Sequence, residues 1–139
     1  MRKFLIIALV VSVLVVLSLP AVLQAQRGDQ TFGLVVAESA ICKNVVDRKP
    51  MDSGSSFPST VGKLYCFTQI DGAPSPTSVT HVWYYGTKES AKVKLLVGSS
   101  AWPTWSSTII QPNEIGSWHV EVLDVMGNKL KELNFKITK

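Results

Sequence analysis

The sequence predicts an all-β domain: an antiparallel β-sandwich of immunoglobulin-like architecture, with about seven strands behind an N-terminal hydrophobic signal or anchor helix. Three observations predict it. Beyond residue 33, apolar residues recur at every second position, the period of a half-buried strand. The alternating runs are separated by residues that tolerate or impose turn dihedrals. No helical period follows Ala25. A small closed barrel is the alternative architecture.

The first element is the leader. Phe4 to Leu19 reads FLIIALVVSVLVVLSL behind Arg2 and Lys3. A cationic flank before an apolar run marks a secretory signal, because the cations stay on the cytoplasmic side while the apolar part enters the bilayer. Pro20 breaks the helix and Ala25 offers a small residue for cleavage. Left uncleaved, Phe4 to Leu23 has about the 20 residues that an anchor needs to span hydrocarbon. Residues 1–25 are therefore a signal peptide or membrane anchor, 26–32 a polar tether and 33–139 the folded domain. Either fate of the leader implies an extracytoplasmic domain, periplasmic or secreted, or tethered to the inner membrane.

Seven strands follow from the alternation. The first lies around Leu34 to Val46. In the second, Leu64, Cys66, Thr68 and Ile70 share one side, with Tyr65, Phe67 and Gln69 opposite. In the third, Val79, His81, Trp83 and Tyr85 share a side. Ala91, Val93, Leu95 and Val97 do so in the fourth, against Lys92, Lys94 and Leu96. The fifth lies around Trp105 to Gln111. Trp118, Val120 and Val122 mark the sixth, and Leu133, Phe135 and Ile137 the seventh. Lys49 to Gly62, with Pro50, Pro58, two Gly and four Ser, reads as a long connection or an edge segment.

Composition excludes several function classes. The formal charge of +4 falls by two once Arg2 and Lys3 are set aside, so the domain lacks the clustered basic charge of a nucleic-acid binder. Four Trp and three Tyr exclude a disordered chain. No Gly-x-Ser-x-Gly elbow is present. His81, His119 and Asp124 stand in no telling sequence context. Two isolated His make no zinc motif, so no catalytic residue, metal or cofactor is assigned.

Cys42 and Cys66 are an even pair, which an oxidising compartment would join as a disulfide. The remaining signal is aromatic. All four Trp fall between Trp83 and Trp118. Trp83 and Trp118, inside regular alternation, read as core. Trp102 and Trp105, beside Pro103 and several hydroxyls, are candidate ligand-binding residues together with His81, Ser106 and Ser107. The expected function is a non-catalytic binding or interaction module for an envelope protein. The alternatives are a carbohydrate-binding module that stacks sugars on exposed Trp and, last, a small periplasmic enzyme.

Four phrases carry a family resemblance: LYCFTQI with DGA (Leu64 to Ala73), THVWYYG (Thr80 to Gly86), WPTWSSTII (Trp102 to Ile110) and GSWHVEVLD with MG (Gly116 to Gly127). Together they resemble an uncharacterised bacterial domain-of-unknown-function family, from about Ile41 to Lys139. The resemblance implies an exported or membrane-tethered β domain and assigns no activity.

Overall fold

A computed structural model describes residues 33–139. The leader and tether assigned to residues 1–32 lie outside the described residues. The domain is all-β, with nine strands and no helix among the described residues: β1 Val35–Val46, β2 Lys49–Ser53, β3 Ser56–Pro58, β4 Lys63–Asp71, β5 Thr77–Tyr85, β6 Lys88–Val97, β7 Ala101–Ile109, β8 Gly116–Leu123 and β9 Lys129–Thr138.

Two sheets face each other across the core. One has the order β2-β1-β4-β7 and the other β3-β9-β8-β5-β6. The chain crosses between them at 54–55, 59–62, 72–76, 98–100 and 110–115, all containing Gly, Pro, Ser or Asn. Placing β1, β4 and β7 in one sheet and β5, β8 and β9 in the other follows the strand partition of immunoglobulin-like sandwiches, with β6 beside β5 in the place of the C′ strand. Trp83 on β5 is the buried central tryptophan of that architecture.

The alternation read from the sequence sets which side chains enter the core. Leu64, Cys66 and Ile70 of β4 meet Val79 and Trp83 of β5, Trp118, Val120 and Val122 of β8, and Phe135 and Ile137 of β9. Phe135 is the hub of the aromatic packing. Trp83 meets it edge-on at 6.1 Å and Trp118 lies against it at 5.8 Å. Phe57 meets it edge-on at 6.3 Å.

The seven expected strands are present, and two more come from the Lys49 to Gly62 segment. Both are edge strands. Asp47 and Arg48 take positive φ (50° and 61°) in a two-residue loop, the pattern of a type I′ turn, and this folds β2 back on β1. β3 runs parallel to β9 and drives Phe57 into the core. Three residues between serines and a proline are too short for alternation to show. The edges carry their own protection: Pro50 in β2, Pro58 in β3, Pro103 in β7, and Lys88, Lys92 and Lys94 along β6.

The expected disulfide is not formed; Cys42 and Cys66 are free thiols. Register explains why. Ile41 pairs with Cys66 and Cys42 with Tyr65, so Cys66 points into the core while Cys42 points out of the same sheet. Neighbouring strands bring the two residues close, yet the pleat sends their side chains to opposite faces, where no bridge can close. Both thiols are fully buried, and desolvation raises the pKa of each above the usual thiol value. The native protein is therefore expected to resist a thiol reagent at pH 8. Denaturation in urea without reductant is expected to release two equivalents of reactive thiol; release only after reduction would show a bridge.

Candidate functional site

Strand parity divides the five expected ligand-binding residues between two environments. His81 and Ser106 are buried and Trp102 is half-buried, all three on the core side. Trp105 and Ser107 point outward from β7. The shared platform expected from the sequence is therefore not assembled. Positions 102 and 105 are three apart on a strand and must fall on opposite faces. Trp102 lies over Gly98, where an added Cβ would come within 2.9 Å of its ring.

His81 and Ser106 belong to a chain of hydrogen bonds that crosses the core. Thr68 Oγ1 donates to the Thr104 carbonyl at 3.1 Å, which leaves the Thr68 hydroxyl oxygen to accept from His81 Nε2 at 3.2 Å. With Nε2 carrying the proton, His81 Nδ1 accepts from the Ser106 hydroxyl at 2.8 Å. Ser106 Oγ in turn accepts from Trp83 Nε1 at 3.0 Å. Every donor and acceptor in the chain is used, and no buried side-chain polar atom among the described residues lacks a partner. Burial pushes the His81 pKa down to about 4. A second proton on His81 would turn Nδ1 into a donor and reverse its bond to Ser106. Ser106 and His81 form a close serine–histidine pair, but both are sealed from solvent and cannot reach a substrate.

The other triad candidates also separate. His81 lies inside, His119 points out of β8, and Asp124 caps the β8–β9 turn. Its Oδ1 accepts from the amides of Met126 and Asn128 at 2.9 Å each. These bonds hold its carboxyl below the usual carboxylate range.

The two outward faces differ in chemistry. On the four-stranded sheet, register sets Trp105, Phe67 and Ala40 in one row and Ser107, Tyr65, Cys42 and Ser53 in the next. Trp105 stacks on Phe67 with ring centres 6.5 Å apart and an interplanar angle of 20°. It covers Phe67 yet remains 36% exposed. On the same face Ile109 is 53% exposed, Met51 47% and Val46 45%. Lys63 caps the Tyr65 ring at 5.9 Å.

The outer face of the five-stranded sheet is mostly polar, with Leu96 of β6 an exposed apolar exception at 62%. Glu89, Tyr84, His119 and Asn134 form one row; Lys92, Val82, Glu121 and Glu132 form the next. Tyr84 and His119 stack with ring centres 4.6 Å apart. Beside Asn134 lies an open hollow of about 420 Å³ edged by Ser55, Ser117 and Lys136. Sequence reasoning treated His119 as isolated. The signal that could have found this cluster is His-x-Glu on one strand face, with Glu132 across the hairpin.

The fold and its faces define an immunoglobulin-like β-sandwich domain with a buried polar chain inside an apolar core and exposed apolar side chains on one outer face. Residues 76–137 match the family model described as "Protein of unknown function (DUF2914)", which bears out the expectation of an uncharacterised domain family. The match takes in three of the four phrases and leaves out Leu64 to Ala73. No curated protein matches the chain.

The buried histidine makes stability pH-dependent. Above about pH 6.5 neither the folded nor the unfolded state protonates His81, and its contribution is intact. Between about 6.5 and 4 only the unfolded chain binds the proton, so stability falls with pH. Below the folded pKa the loss is complete, about 3 kcal/mol. Urea denaturation at pH 7.5 and 4.5 is expected to show a larger drop for the parent than for His81→Gln. Equal drops would remove His81 from the account.

Proposed function

We propose that this chain is a non-catalytic binding module that works outside the cytoplasm and docks on a protein of the cell envelope through the outer face of its four-stranded sheet. The observation that carries the reading is the exposed apolar surface of Trp105, Ile109, Met51 and Val46 on that single face. Large apolar side chains left exposed on one face mark an interaction surface, and tryptophan is among the side chains most enriched at binding hot spots. Lys63 and Gln69 among these rings supply polar groups suited to a rim. The compartment rests on the leader, where Arg2 and Lys3 precede an apolar run.

The carbohydrate reading is weaker. It asked for several rings in one platform, and this face offers the exposed ring of Trp105 without Trp102 or His81. An enzymatic reading has its serine–histidine pair enclosed in the core.

A photo-cross-linking residue at Ile109 is expected to give one discrete adduct with an envelope protein, and the same residue at Lys92 on the opposite sheet none. Trp105→Ser is expected to weaken that adduct at least tenfold, with a modest fall in melting temperature because it uncovers Phe67. Ile109→Ser, which covers no buried ring, is expected to weaken the same adduct formed from Met51, with unchanged melting. Equal adducts from Ile109 and Lys92, an adduct of two copies of this chain, or saturable quenching of Trp105 by cell-wall glycan fragments would each overturn the proposal.

A further inference from the structure

We propose that the outer face of the five-stranded sheet holds a binding site for a divalent transition-metal ion of the zinc class, with His119, Glu121 and Glu132 as ligands. The strand register builds it. His119 and Glu121 are two apart on β8 and share the outward face, while Glu132 stands directly across from Glu121 on β9. Asn134 stands across from His119 and completes a two-by-two grid. One ligand atom from each of His119, Glu121 and Glu132 lies within 4.8 Å of the others. Metal–ligand distances near 2 Å need these atoms about 3.3 Å apart, a closure within reach of small side-chain rotations.

Two further observations favour a cation at this point. The carboxylates already share one: Lys129 Nζ is 3.3 Å from Glu121 Oε1 and 3.7 Å from Glu132 Oε1. His119 Nε2 approaches the same Glu132 oxygen at 3.7 Å. The two carboxylates thus already face one cation, and a dication would replace the lysine ammonium. The imidazole is also held in place. Tyr84 stacks on it at 4.6 Å and 9°, which limits the ring rotation that ligation would otherwise have to freeze.

The donor set selects the class of ion. One imidazole with two carboxylates suits Zn²⁺ and its neighbours in the first transition row, whereas Ca²⁺ and Mg²⁺ prefer all-oxygen shells. Among the described residues this ion has no rival cluster. The chain has two His, of which His81 is buried, and both thiols are buried as well.

The test uses the full chain without a histidine tag, titrated calorimetrically with Zn²⁺ and with Mg²⁺ at pH 7.5. One equivalent of Zn²⁺ is expected to bind, and Mg²⁺ at the same concentration is not. His119→Ala and Glu132→Gln are each expected to weaken Zn²⁺ at least tenfold with unchanged metal-free melting. Lys129→Met is expected to tighten it severalfold, because the competing ammonium is gone. Co²⁺ is expected to give a visible ligand-field band in the parent that His119→Ala abolishes. Absence of a one-to-one Zn²⁺ isotherm, binding indifferent to His119 and Glu132, or no gain from Lys129→Met would overturn the site and leave a plain ion-pair network.

Discussion

The hydrogen-bond chain from Trp83 through Ser106, His81 and Thr68 to the Thr104 carbonyl is the constraint on which the architecture depends. Three of its four bonds cross between the sheets, with Trp83 and His81 on β5 facing Thr68 on β4 and Ser106 on β7, and the last joins Thr68 to Thr104 within one sheet. Apolar packing alone would let two sheets slide, because it has no preferred direction. Polar groups in a low-dielectric interior have one, and an unpaired member is costly. The chain therefore sets the offset of the sheets, the part that a disulfide plays in antibody domains. It also explains a histidine and a tryptophan two apart on one inward strand face in a core that is otherwise largely apolar.

Much of the fold was legible because parity is written directly in the residues. Leu64, Cys66 and Ile70 against Tyr65 and Gln69, or Trp118, Val120 and Val122 against His119 and Glu121, say which positions share a side. Parity does not say which side is inside when both carry bulky groups. That ambiguity placed His81 and Ser106 among the candidate ligands, and only the stacking of sheets resolves it. Nor does parity give cross-strand register. One residue of offset between Cys42 and the partner of Cys66 decides between a bridge and two separate thiols. β2 and β3 were illegible as strands for another reason: short segments rich in serine and proline have no pattern to read, and they form by pairing with β1 and β9.

The outward faces were the least legible, since each is assembled from strands distant in sequence. Trp105 gains its neighbours from β4, and Glu132 reaches His119 only because the β8–β9 hairpin folds back on itself. The results are two surfaces of unlike character on opposite sides of one core. One presents rings and branched aliphatics; the other presents carboxylates, an imidazole and an ammonium. The two proposed contacts lie on opposite faces and would not obstruct one another.

The prolines at the sheet margins have a consequence for life at high local concentration. An open sandwich ends in strands whose free amides and carbonyls could recruit a neighbour and seed endless lateral growth. Pro50, Pro58 and Pro103 each delete a donor from such a border, and the lysines of β6 repel a second copy at the remaining one. Molecules crowded side by side would thus stay separate units rather than fuse into fibrils.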